Sequence, residues 1–272
     1  VFSPSYFRAR RRELFPDPDA HCGINVALYG GHERWAFTEP GPQRSRRTAD
    51  EFSLGATSLR WVDGSLQVEI DERTAGSGRP VRGTVRITPG RARGEPIDLD
   101  AHGRHRWWCV APGARVEVDL NAPDLRWSGS GYHDSNFGRE PLEEAFVGWT
   151  WSRADTDQGT AVLYDAQPRD GDPTERALLF APDGSIASWE PTESRTLRTT
   201  GWRIPRSIRS ERGEDRVLET LEDTPFYSRS LVHTHRLGQP VTAVHEALDL
   251  DRFRNPIVQK MLPFRIRRGW RA

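Results

Sequence analysis

Two short stretches concentrate the side chains able to do chemistry: Gly103 to Pro112, GRHRWWCVAP, and Trp127 to Pro141, WSGSGYHDSNFGREP. In an extended backbone alternate residues share a face. His105 and Trp107 would then point one way from the first stretch, and Tyr132 and Asp134 one way from the second. That brings an imidazole, an indole, a phenol and a carboxyl group to one cavity, a set suited to moving a proton. The competing account is structural, with Tyr132 a core phenol and Asp134 the cap of a turn before Asn136 and Gly138. Spacing alone favours the structural account. His102 and His105 make an HxxH that His133-Asp134 could complete as a metal site. On a strand, however, residues three apart face opposite sides, so no metal is expected. The sequence contains no GxSxG, HExxH or GxxxxGK[ST], and no GxGxxG that opens a helix.

The elements that must position these groups follow a period of two. Leu66, Val68 and Ile70 alternate with Gln67 and Glu69, and Val81, Gly83, Val85 and Ile87 repeat the pattern. Val116, Val118 and Leu120 share a face, as do Val244, Glu246, Leu248 and Leu250. Each run reads as a half-buried strand. Turn signals separate them at Gly30-Gly31, Asp63-Gly64, Asp170-Gly171, Asp183-Gly184 and Arg212-Gly213. Many short strands with 20 Pro scattered among them predict an all-β fold of antiparallel barrels or sandwiches. One helix is predicted near the C-terminus, Asp251 to Leu262, with Phe253, Ile257, Val258 and Met261 on one side and Pro256 inside it. No repeat of propeller or solenoid length occurs. With 272 residues, two β-domains are expected, 1–138 and 139–272.

Composition narrows the function classes. Lys+Arg and Asp+Glu are both 39, which argues against a whole-chain grip on nucleic acid. No apolar run approaches the ~20 residues of a membrane-spanning helix. Ten Trp stand beside an Arg-rich surface in which Lys260 is the single lysine. Cys22 and Cys109 are expected as free thiols in a reducing compartment. The chain opens at Val1 with no initiator methionine and no signal-like apolar run, which reads as a chain trimmed at its start.

The segment GSGYHDSNFGREPLE, Gly129 to Glu143, resembles the signature of bacterial carotenoid 1,2-hydratases. The same is true of FSPSYFRARRR (Phe2 to Arg12), HCGINVALYG (His21 to Gly30) and LEDTPFYSRSLV (Leu221 to Val232). VTAVHEALDLDRF (Val241 to Phe253) and MLPFRIRR (Met261 to Arg268) carry the similarity to the end, in the family's order. The sequence departs from the family at its start, where a short apolar strand that normally precedes Phe2 is absent.

The resemblance implies two lipocalin-like β-domains with a hydrophobic cavity. It also implies hydration of the terminal C1=C2 bond of an acyclic carotenoid of the neurosporene or lycopene type, without cofactor or metal. The family's functional positions match His105, Trp107, Tyr132 and Asp134. In such a reaction a neutral Asp134 would protonate C2, leaving a tertiary cation at C1 for water to capture. His105 or Tyr132 would orient that proton, with His105 also a candidate to take the proton of the attacking water, and Trp107 would offer a π-face to the cation. Trp149 and Trp151 share a strand face and would line the substrate tunnel or simply pack in a core. Trp127 and Tyr227 are further substrate-binding candidates. The stretch Phe253 to Arg268, with Ile257, Met261, Leu262 and Phe264 beside Arg265, Arg267 and Arg268, would either lie on a bilayer or pack on the barrel end. A cytoplasmic protein peripheral to the membrane is the matching location. The rival functions are a cyclase of the same superfamily, using the cavity for a cationic or pericyclic reaction, and a non-catalytic carrier of apolar ligands.

Overall fold

The computed structural model describes residues 2–13, 15–190 and 192–263. Strands account for 56% of the chain and helices for 10%, against the third or so that helices occupy in an average domain. The chain divides into two compact units. The described residues of the first come from 2–89, 114–131 and 259–263, and those of the second from 90–113, 132–190 and 192–258.

In the first unit, sequence alternation becomes burial directly. The strand Ser65–Arg73 pairs antiparallel with Pro80–Pro89, setting Val68 opposite Val85. Pro80–Pro89 pairs in turn with the far half of His105–Ala122, setting Val85 opposite Val118 and Ile87 opposite Val116. Ala36, Ile70, Val81, Val118 and Leu120 form the buried centre, with Val26, Leu28 and Val68 packed against it. Gly83 is required where the register slips. A Cβ there would stand 2.3 Å from the Asp119 carbonyl oxygen, and its φ of +137° is one that other residues rarely adopt.

The second unit is built on a seven-stranded antiparallel sheet. Its order is Ile186–Ser188, Thr174–Phe180, Gly159–Pro168, Phe146–Thr156, Gln239–Asp249, Tyr227–Arg236 and Arg216–Asp223. Placing Phe146–Thr156 beside Gln239–Asp249 joins segments far apart in sequence. Direct cross-strand partners share a face, and one such row reads Tyr164, Trp151, Glu246, Arg229. The next row is Ala166, Trp149, Leu248, Tyr227. The near half of His105–Ala122 and the end of Asp124–Gly138 belong to this same unit. Among the described residues no closed barrel is formed.

The helices correct the sequence expectation. The single helix over Asp251 to Leu262 is instead two short ones, Leu250–Phe253 and Pro256–Lys260. Pro256 has no N–H to give, and it disfavours a helical backbone at Asn255. The first of the pair is capped by Asp249, whose carboxylate accepts from the Arg252 N–H. Phe253, expected at an exposed rim, is fully buried against Phe226 at 4.6 Å between ring centres, whereas Ile257 is 67% exposed. Phe264, Arg265, Arg267 and Arg268 lie outside the described residues. A helix not anticipated, Pro4–Arg10, starts where Ser3 accepts from the Tyr6 N–H and Pro4 occupies the first turn, a standard N-terminal signature.

Candidate functional site

Strand alternation sorts the aromatic stretch as its sequence predicts. His105, Trp107 and Cys109 are buried, while Arg106 and Trp108 face outward. On the neighbouring strand Tyr132 and Asp134 share a face, and the Tyr132 hydroxyl donates to Asp134 Oδ2 at 3.0 Å. Trp107 Nε1 donates to that same oxygen at 2.9 Å. Two donors therefore converge on Oδ2, leaving Oδ1 as the oxygen that these two groups do not engage.

Around this centre stand the aromatic side chains of the seven-stranded sheet. Tyr132 packs on Trp151 at 5.0 Å and Trp107 on Tyr164 at 5.4 Å between ring centres. Trp149 joins them through Tyr164 at 6.1 Å, and the Arg153 guanidinium lies 6.0 Å from the centre of the Tyr132 ring. Trp107 and Tyr164 are fully enclosed, whereas Asp134, Tyr132, Trp149 and Tyr227 keep part of their surface accessible.

The electrostatics follow from that enclosure. Burial raises the Asp134 pKa above the usual carboxylate range, opposed by the Trp107 and Tyr132 hydrogen bonds, while Glu246 adds to the rise and Arg229 offsets it. The phenols of Tyr132, Tyr164 and Tyr227 are pushed well above 10, chiefly by burial, so all three remain hydrogen-bond donors. Burial likewise pushes the Cys109 thiol up to about 12. Cys109 and Cys22 are both free.

His105 is the predicted site residue that occupies other ground. Its Nε2 lies 2.9 Å from the Glu140 carbonyl oxygen and its Nδ1 lies 3.6 Å from Asp100 Oδ2. Burial alone would raise the Asp100 pKa. The backbone N–H groups of His102, Arg104 and His105 overcome that and hold it below the usual range. His105 thus ties the start of its strand to the segment after Gly138. At Gly138 a Cβ would meet the imidazole at 2.3 Å. His102 sits apart from this, its side chain 60% exposed and 3.6 Å from Asp170. Trp127 lies in the first unit, 48% exposed.

Tyr164, Glu246, Arg229 and Cys109 were not anticipated as site residues. Glu246 carried a signal: it is a charged residue among Val244, Leu248 and Leu250 on one face of its strand, where charge is rarely left without purpose. Tyr164 and Arg229 carried none, since only sheet pairing brings them to Trp107 and Glu246.

Over residues 1–272 the sequence matches the family described as carotenoid hydratase CrtC. An acyclic carotenoid 1,2-hydratase of Thiocapsa roseopersicina is 49% identical over 271 residues, which are 98% of this chain and 67% of that one. The protein of the same name from Cereibacter sphaeroides is 38% identical over 274 residues, 99% of this chain and 96% of its own. Among solved structures, one assigned as an AttH protein of Nitrosomonas europaea superposes with a TM-score of 0.54. That match has 17% identity and covers 80% of this chain and 76% of that one. The shared fold is lipocalin-like.

Proposed function

The chain belongs to the carotenoid hydratase family, and on that premise we propose that it adds water to the terminal C1=C2 bond of an acyclic carotenoid, with Asp134 as proton donor. The substrate is of the neurosporene or lycopene type. The observation that carries this reading is the convergence of Trp107 Nε1 and Tyr132 Oη on Asp134 Oδ2.

Two accepted hydrogen bonds use the lone pairs of Oδ2, so the proton of the neutral acid belongs on Oδ1. Burial keeps that neutral form populated above the pH at which a free Asp would have ionised. An isolated alkene is a very weak base, and a fixed, desolvated acid is what its protonation requires. As the proton moves to C2, charge develops on the carboxyl group, and the same two donors stabilise it. The cation left at C1 is tertiary, and the indole and phenol rings nearby can steady it without attacking it. His105 is a positioning residue in this scheme, holding the strand that carries Trp107.

Trp149, Trp151 and Tyr227 are proposed to contact the polyene. No helix of the described residues is long and apolar enough to cross a membrane. The insolubility of a carotenoid supports its collection from a bilayer by a cytoplasmic protein resting on the membrane surface.

The test is incubation with lycopene or neurosporene, with products read by mass for the gain of one water. Asp134→Asn, which keeps shape but not acidity, should retain carotenoid binding and lose nearly all turnover. An Asp134→Asn protein that hydrates at close to the wild-type rate would refute the assignment.

A further inference from the structure

Hydration has a second half that Asp134 does not complete. Water captured at C1 becomes an oxonium that must lose a proton, which a positioned base would take. Several groups near the centre are unsuited. Tyr132 and Cys109 hold their protons too firmly, and the Asp134 carboxylate is directed at C2 through Oδ1 while Trp107 and Tyr132 occupy Oδ2. The ring nitrogens of His105 face the Glu140 carbonyl and Asp100.

Glu246 is differently placed. In the sheet register it stands between Trp151 on one neighbouring strand and Arg229 on the other. Trp151 packs directly on Tyr132, which bonds Asp134. Arg229 donates Nε and Nη2 to Glu246 Oε1, at 2.9 and 2.7 Å, and its guanidinium lies 5.8 Å from the centre of the Tyr227 ring. The Trp151 indole N–H is buried and has no hydrogen-bond partner. Asp134 is bonded by two neutral donors, whereas Glu246 is held by the Arg229 guanidinium, with the Tyr227 phenol also bonded to it. Paired carboxyl groups in contrasting environments are how one site keeps an acid and a base together.

Building on the reading of Asp134 as the acid, we propose that Glu246, ion-paired to Arg229 across the sheet from Trp151, is the base that takes the proton of the attacking water. The Asp134 O–H bond breaks and the π pair of C1=C2 forms the C2–H bond. A water oxygen then bonds C1, and one of its O–H bonds breaks to protonate Glu246 Oε2. The product carries one added water, Asp134 ends ionised and Glu246 neutral. Return of that proton to Asp134 resets the site.

The experiment compares wild type, Glu246→Gln, Glu246→Ala and Asp134→Asn on lycopene, with carotenoid binding followed by tryptophan quenching. A general base contributes roughly 10²- to 10⁴-fold, so Glu246→Gln should lose at least about 100-fold in kcat with KM nearly unchanged. Added formate should restore part of the Glu246→Ala rate, which a structural role would not allow. If Glu246→Gln unfolds, Arg229→Gln/Glu246→Gln removes both partners of that ion pair and carries the same test. Turnover within about threefold of wild type in a folded Glu246 variant overturns the assignment of the base. So does failure of formate to restore any Glu246→Ala activity. Should those results coincide with an inactive Asp134→Asn, the base assignment alone fails. An active Asp134→Asn would instead overturn the acid on which it rests.

Discussion

Replacing Trp107 by Phe keeps an aromatic ring and removes one N–H from Asp134 Oδ2, a bond of 2.9 Å. While Asp134 gives up its proton, that oxygen becomes more negative, and the bond is stronger in the transition state than in the resting acid. A hydrogen bond to a charged group contributes about 1.5–3 kcal/mol, of which the resting acid already has a share. The loss in kcat should therefore be roughly 10- to 100-fold. The sign of the pH effect is also fixed. Burial raises the Asp134 pKa and the Trp107 bond opposes the rise, so removing the bond lets the pKa climb further. Activity requires the neutral acid, so the basic limb of the kcat profile should move to higher pH. The phenyl ring still fills the buried position, and KM should change by less than about threefold. The assay is lycopene hydration across pH 5–9, with product quantified by mass. Turnover within about twofold of wild type, or a basic limb displaced to lower pH, would refute the role given to this hydrogen bond. Tyr132→Phe removes the second donor, at 3.0 Å from the same oxygen, and should act in the same direction. The double variant should depart from additivity because both donors share one partner.

Three further outcomes follow from buried groups. Burial, with Arg206 and Arg236 nearby, pulls the His245 pKa from 6.5 to about 4, so its contribution to stability is whole above pH 6.5 and is lost as pH falls toward 4. Between pH 7 and 5 urea titrations should show a loss of about 2 kcal/mol in wild type relative to His245→Asn, and equal slopes for the two would contradict it. Alkylation of the native protein should label half-buried Cys22 and spare Cys109, whose thiol burial pushes up to about 12, until denaturant exposes it. Rapid labelling of two thiols in the folded state would be the contrary result. Gly138→Ala would set a methyl 2.3 Å from the His105 ring, and should cost about 1–3 kcal/mol and lower the thermal midpoint. An unchanged midpoint would mean that the imidazole can give way.

Local alternation decided much of this protein before any folding was considered. A period of two determines which residues of a strand share a face, and that suffices to place His105 beside Trp107, Tyr132 beside Asp134 and Val244 beside Glu246. It also suffices for an all-β chain, because burial in a half-exposed strand depends on neighbours two positions away. The break at Pro256 and the helix behind Ser3-Pro4 obey equally local rules and were legible in principle.

What alternation cannot supply is which strand lies beside which. Phe146–Thr156 could have paired with many partners, and its place between Gly159–Pro168 and Gln239–Asp249 alone brings Tyr164 and Glu246 into the row with Trp151. Nor does a shared face say where a side chain finds its hydrogen bond. His105 and Trp107 lie on one side of one strand, yet Trp107 meets Asp134 while His105 is held by Glu140 and Asp100. Two residues along a strand span about 7 Å, farther than a hydrogen bond reaches. The sequence chose the groups and their faces, and only the tertiary structure decided which of them meet.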